Sequence, residues 1–293
     1  MDLQQLRYAV EIADASSFTR AAERCFVTQS ALSHRIAALE SELGQRLFTR
    51  TSRSVRVTEA GEAFVRRARV ALAAAEGARE DAAAAAGRVI GTLRLGVIPT
   101  VAAVDVPAVI SRFRAAHPSV RVELTVGNSD SLISSVRHGD LDVALLGLRE
   151  ESVPSGVALR TLSRERLVAA LPPRHRLARR KSVRLADLAG EVFADFPAGT
   201  SGRAQSDSAF AAVDVVRDVA FEADSAELIL GLVSAGLAMT LLAPGVVARS
   251  QAAVESVPVD DGPIRVEYAA WDEQAPRTVA RAFLGELETA DLD

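Results

Sequence analysis

The stretch from Phe18 to Leu43, FTRAAERCFVTQSALSHRIAALESEL, constrains the chain most. It reads as two helices joined by a tight connection. Thr19 is placed to cap the first, with Ala21 and Ala22 as strong helix formers behind it. Cys25, Phe26 and Val27 interrupt the pattern with side chains that lose rotamer freedom in a helix. Thr28 offers a second cap, and Leu32, Ile36, Leu39 and Leu43 follow at the 4-3-4 spacing of one buried face. The opposite face carries Ser30, Ser33, His34 and Ala37, with Gln29 at the helix start. Small hydrogen-bonding side chains let a backbone come close to another surface. A helix that enters a DNA major groove needs that, because base edges are read at short range.

Around this pair the chain supplies the rest of a small DNA-binding core. Leu3 to Ala15 reads as a helix with Leu6, Ala9, Val10 and Ala13 on one stripe. Gly44 follows the second helix of the pair as a left-handed C-terminal residue would. Residues 47–50 and 55–57 flank the polar turn Thr51–Ser54, a short hairpin whose Arg46, Arg50, Arg53 and Arg56 have no acidic residue among them. Arg53, at the tip, is best placed for phosphate or a minor groove.

The run AAERCFVTQSALSHRIAALESELGQRLFTR, followed by VRVTEAGEAF, resembles the N-terminal signature of LysR-type transcriptional regulators. The resemblance is densest from Leu3 to Phe64 and extends to the order of elements over the whole chain. It implies a winged helix-turn-helix over residues 1–58 that binds a double-stranded operator with two half-sites. Thr28, Gln29, Ser30, Ser33, His34, Arg35, Arg50 and Arg53 are then the DNA-binding candidates. Ser30 stands where the family often has proline, and His34–Arg35 replaces an Arg–Gln pair, so no operator sequence carries over. Cys25 occupies a position where the family usually keeps an apolar residue. It reads as a small buried hydrophobe, with a redox-sensing thiol as the alternative.

Thr58 caps a long helix that runs to about Ala86. Phe64, Ala68, Ala71, Ala75, Ala78 and Ala82 repeat along it at 4-3-4-3-4 spacing. A single such helix leaves its small-residue stripe in water, as a solvated spacer would; pairing with a second copy buries it. The family places a dimerising linker helix here, which implies residues 59–88 and a homodimer or homotetramer.

Beyond Gly87 and Gly91 short β-branched runs alternate with helical ones, the pattern of an α/β domain. Strands are expected at 92–98, 120–125, 141–146, 167–171, 192–194, 215–221, 238–242 and 264–270. Helices are expected at 107–116, 129–137, 201–211, 225–235 and 276–287. GTLRLGVIPT and ELILGLVSAGLAMTLLAP resemble the first strand and a late helix–strand of the LysR effector domain, whose fold is that of periplasmic binding proteins. The fold class is therefore α/β with an N-terminal winged helix-turn-helix of mainly helical type, a long linker helix and a two-lobed effector domain. The resemblance sets that domain at 89–293, with one lobe at about 89–163 and 267–293 and the other at about 164–266.

Ligands of open α/β sheets bind at strand carboxyl ends, against helix N-termini. Thr100, Ser129, Thr200–Ser201 and Ser225 stand at such points, with Val101 and Ala198 beside them. Hydroxyls next to unpaired helix N–H groups suit an anionic metabolite. Each is also an ordinary helix cap. The Ala198–Gly202 turn lacks both the lysine of a phosphate loop and Gly-x-Ser-x-Gly spacing.

Composition bounds the alternatives. A chain of 293 residues with net charge −4 is long enough for two or three cores and is no bulk polycation. One cysteine excludes an internal disulfide, and four scattered histidines give no metal-ligand spacing, so neither a metal site nor a cofactor is expected. With no leader and no membrane-spanning run, a cytoplasmic protein is expected. The reading is a DNA-binding regulator controlled by a small, anionic effector, and not an enzyme. Its rivals are a constitutive regulator with a vestigial cleft and a cytoplasmic solute-binding protein.

Overall fold

Three helices and a hairpin close on one apolar cluster at the start of the chain, in a computed structural model that describes residues 1–50, 55–274 and 276–289. Helix α1 (Leu3–Ala15) begins with a reciprocal cap: Asp2 accepts from the Gln5 N–H, and the Gln5 side chain accepts from the Asp2 N–H. Helix α2 (Phe18–Arg24) is capped by Ser17 and not by Thr19; Ser17 holds the extended backbone, and its hydroxyl accepts from Arg20 N–H at 3.4 Å. Helix α3 (Gln29–Leu43) starts at Thr28, whose Oγ1 accepts from Ala31 N–H at 3.2 Å, and stops at Gly44 with φ +65°. Leu32, Ile36 and Leu39 are fully buried against Ile12, Phe18 and Phe48. Leu43, expected on the same face, is 38% exposed because the last turn of α3 outruns this cluster.

Strands β1 (Phe48–Arg50) and β2 (Val55–Val57) pair antiparallel as the expected hairpin. Its tip, with Arg53, lies outside the described residues, as does the side chain of Arg50. Helix α4 (Glu59–Ala84) is capped by Thr58 Oγ1, 2.9 Å from Gly61 N. A β-carbon on Gly61 would lie 2.1 Å from the Leu47 carbonyl oxygen, so only glycine lets α4 seat on the hairpin. Phe64, Val65, Ala68 and Leu72 pack on Leu6 and Val10 of α1. The expected seam therefore divides: its first members serve this packing, while Ala71, Ala78 and Ala82 are exposed.

Met1–Arg88, with His138–Asp140, forms one unit; the rest of the chain forms a second. The second opens with β3 (Gly91–Val97), α5 (Val106–Ala116), β4 (Val120–Val126), α6 (Ser129–Arg137) and β5 (Val143–Arg149). Next come β6 (Ala158–Arg166), β7 (Val168–Leu171), a 3₁₀ turn (Leu185–Leu188), β8 (Val192–Asp195), α7 (Ser201–Ala211) and β9 (Asp218–Glu222). The chain continues through α8 (Ala226–Ser234), β10 (Thr240–Leu242), α9 (Pro244–Arg249), β11 (Glu255–Pro258), β12 (Ile264–Trp271) and α10 (Thr278–Thr289). β6, α9, β11 and the 3₁₀ turn were not expected from the sequence.

These elements build two lobes. In the first, the sheet order is β4-β3-β5-β12-β6, with β3 parallel to β4 and β5 through the α5 and α6 crossovers, and β12 antiparallel to both neighbours. α10 returns over this sheet; Phe283 meets Phe113 edge-on with ring centroids 5.3 Å apart. In the second lobe, β10-β7-β11 and β8-β9 join through the Phe193–Met239 bridge. Their core is centred on Phe193 and Phe210. The chain crosses between lobes at Arg166–Val168 and again at Pro258–Ile264. The two passes touch, Leu167 N–H donating to the Pro263 carbonyl at 3.0 Å.

Candidate nucleic-acid interface and ligand cleft

On α3 the buried stripe leaves Gln29, Ser30, His34 and Arg35 exposed, with Thr28 exposed at the cap and Ser33 half-buried. Gln29 Nε2 donates to Ser33 Oγ at 3.2 Å, one turn on, and the Thr28 and Ser30 hydroxyls are 3.1 Å apart. Arg35 approaches Asp2 at 3.6 Å, both side chains being about half exposed, so the pair contributes little to stability. Phe26 in the inter-helix turn has φ +55° and is 95% exposed. Cys25 is half-buried; burial pushes its thiol up and Glu11 adds to this, so the unreactive protonated form prevails at neutral pH.

In the second unit a cavity of about 340 Å³ opens between the lobes. From the first lobe come Ile98, Pro99 and Thr100 after β3, and Val126, Gly127, Asn128 and Ser129 between β4 and α6. From the second come Phe196, Thr200, Ser201 and Gly202 at the start of α7, and Asp224 before α8. Arg265, on β12 just past the second crossover, reaches in as well.

Arg265 is 9% exposed, and its Nη2 donates to Thr100 Oγ1 at 3.1 Å. Its buried Nε has no partner among the described residues. Burial pushes the guanidinium down from its ordinary value, while Glu267 and Asp195 oppose this; it stays charged at neutral pH. Neither acid is bonded to it. The Glu267 carboxylate accepts from Ala102 N–H at 3.0 Å and Ala103 N–H at 2.9 Å, and Asp195 is taken by Arg217 at 2.7 Å. The Thr100–Val104 loop is also held from the other lobe, where Arg249 donates to the carbonyls of Val101, Ala102 and Val104.

The cleft gathers Thr100, Ser129, Thr200 and Ser201 of the residues marked in the sequence. Each already has work. Thr200 caps α7, accepting from Arg203 N–H while donating to Pro197 O. Ser201 donates across to Asp130 at 3.0 Å, joining the N-termini of α7 and α6. Ser129 is not a cap; Asn128 Oδ1 takes Ser131 N–H, and the Ser129 hydroxyl exchanges bonds with Gly147 on β5. Three marked residues do not line the cleft. The Val101 carbonyl is held by Arg249, Ala198 sits in an exposed turn, and Ser225 caps α8 through Leu228 N–H. Sequence reasoning missed Arg265 and Asp224.

Residues 86–291 match the family model for the LysR substrate binding domain, and residues 3–62 that for the bacterial regulatory helix-turn-helix protein, lysR family. The chain belongs to the LysR family. It is a DNA-binding transcriptional regulator that carries the LysR substrate-binding domain. Similar LysR proteins include the transcriptional dual regulator GltC of Bacillus subtilis (strain 168), 35% identical over 83% of this chain and 80% of its own. ShiR of Corynebacterium glutamicum (strain R), an HTH-type transcriptional regulator, is 32% identical over 97% of each chain. Among solved structures, full-length OxyR from Pseudomonas aeruginosa has a TM-score of 0.77 at 26% identity, over 100% of this chain and 96% of that one. CbnR in complex with its target DNA shares the fold, with a TM-score of 0.69 at 23% identity over 99% and 100%. No described helix of this LysR-family chain is long and apolar enough to cross a membrane.

Proposed function

We propose that this regulator reads a two-half-site operator through α3 and takes a small anionic effector in the cleft between the lobes of residues 89–293. Gln29, Ser33 and His34 contact bases. Thr28, Ser30, Arg35, Arg50 and Arg53 hold the backbone, and residues 59–88 pair two copies through the exposed alanines of α4. The anionic reading is carried by one observation. Arg265 is a buried guanidinium that faces the cavity with one neutral partner, Thr100. A buried charge bonded to no acid is costly, and an incoming carboxylate relieves that cost with charge-assisted bonds. Helix N-termini at Ser129 and Ser201 add the same sign of field.

An effector acts by binding one arrangement of the lobes better than the other. The Ser201–Asp130 bond and the Arg249 clamp are the links that such a change strengthens or breaks. The reading is tested by thermal melting of the full chain with acetate, succinate, glutarate and benzoate. Arg265→Met should abolish any shift seen in the parent protein, where a ligand at 100 times its Kd adds about 2.7 kcal/mol. Equal shifts in the variant would place the anion elsewhere.

A further inference from the structure

The charge around the cavity is not of one sign. Of the residues that line it, Arg265 and Asp224 carry charge, and they do not pair with each other. Asp224 is exposed and has no hydrogen bond or ion pair among the described residues. Nor does it cap the helix that follows: that task falls to Ser225, whose hydroxyl takes the Leu228 N–H at 3.3 Å. Arg265 is buried, with its Nε unpartnered. The rest of the wall mixes the polar Thr100, Asn128, Ser129, Thr200 and Ser201 with apolar Ile98, Phe196 and a Val126 that is 62% exposed.

A simple anion would satisfy Arg265 but share a small cavity with the Asp224 carboxylate. A simple cation would satisfy Asp224 and leave the buried guanidinium bare. A ligand with both charges meets both, and buries its hydrocarbon portion on Val126 and Phe196. The volume, about 340 Å³, lies at the small end for ligand sites, which run from roughly 300 to 1,000 Å³. We infer that the effector is a small zwitterion of the amino-acid class, its carboxylate on Arg265 and Thr100 and its ammonium on Asp224. This rests on the reading of the cleft as the effector site, and keeps the carboxylate proposed for Arg265 while adding an ammonium in the same molecule.

The test is calorimetric titration of the full chain with the twenty proteinogenic amino acids, β-alanine and 4-aminobutyrate. Butyrate, glutarate and butylamine serve as probes that lack one of the two charges. The expected result is that an amino acid binds at least about tenfold more tightly than the matched carboxylate. Asp224→Asn, at an exposed position that leaves folding intact, should remove that preference while sparing carboxylate binding. Arg265→Met should abolish both. The inference is overturned if no amino acid binds at millimolar concentration, or if Asp224→Asn leaves the preference unchanged. Carboxylates that bind the parent and Asp224→Asn equally, and fail on Arg265→Met, would overturn the zwitterion while the anion cleft stands. Undiminished binding to Arg265→Met would remove the cleft reading itself.

Discussion

A β-carbon on Gly147 would lie 2.1 Å from Nη2 of Arg265 and 2.5 Å from its Nε. The guanidinium thus occupies the space that a side chain on β5 would fill, and Gly147 also exchanges hydrogen bonds with Ser129. One missing side chain places the cation of the cleft.

Gly147→Ala should therefore displace Arg265 without unfolding the domain, since the clashing group is the end of a long side chain. Overpacking costs of this kind are about 1–3 kcal/mol. A denaturant titration should show that loss. Calorimetry should show a fall in anion affinity of about tenfold or more, the cost of losing a charge-assisted bond. Parent-like affinity would mean that Arg265 is not the anchor.

Gln29 and Ser33 satisfy each other on an exposed face. If they read bases, Gln29→Ala should weaken operator binding by about 1–3 kcal/mol, with little change on random DNA. A gel-shift titration against both DNAs measures the difference. An equal loss on both would make Gln29 a backbone contact.

Ala71, Ala78 and Ala82 lie exposed along α4, with half-buried Ala75 on the same stripe. Ala75→Glu should put a charge where two helices meet, so the dimer dissociates and a two-half-site operator is bound more weakly. Sedimentation showing the parent oligomer would take the stripe out of the interface.

Burial holds the Glu267 carboxyl above its ordinary value of 4.5, against the opposing effect of the Ala103 and Ala102 N–H groups and Arg265. As pH falls, the folded chain takes up this proton before the unfolded chain does. Stability from this group therefore falls as pH rises from 4.5 through the higher folded value, and is flat beyond. Glu267→Gln should remove that slope. Denaturation midpoints of parent and variant across the acid range should converge or diverge in that window alone; parallel curves would contradict the assignment.

Local signals were legible in the sequence. Leu3–Ala15 and Ser201–Ala211 form helices on the residues expected, and Thr28 and Thr58 cap as read, because caps and periodicity act within a turn or two. The rule of strand ends led to Thr100, Ser129, Thr200 and Ser201. What failed depends on partners far along the chain. The β6 sequence ALRTLSRER has no fully buried residue, and it is a strand because β12 pairs with it. Arg265 shares its strand with another charge, Glu267, and nothing local singles it out; its place comes from Gly147 and from a crossover that the local pattern does not reveal.

The position of β12 between β5 and β6 also sets the order of events during synthesis. Arg166 leaves the ribosome long before its partner Ile264 exists. At about 5–20 residues per second, the roughly 100 residues between them take on the order of 5–20 s. Throughout that time the edges of β5 and β6 that β12 will cover stay open, while β7, β8, β9, β10 and β11 are synthesised one after another and can complete the hydrogen bonds among them before β12 follows. The second lobe can fold first and bring the crossover ends together, and β12 then enters as the last strand. A chain interrupted between Pro258 and Ile264 would carry one finished lobe and one with unpaired apolar edges, the kind of species that aggregates or is degraded. Arg265 arrives on that last strand, so the cleft gains its cation only when both sheets are closed.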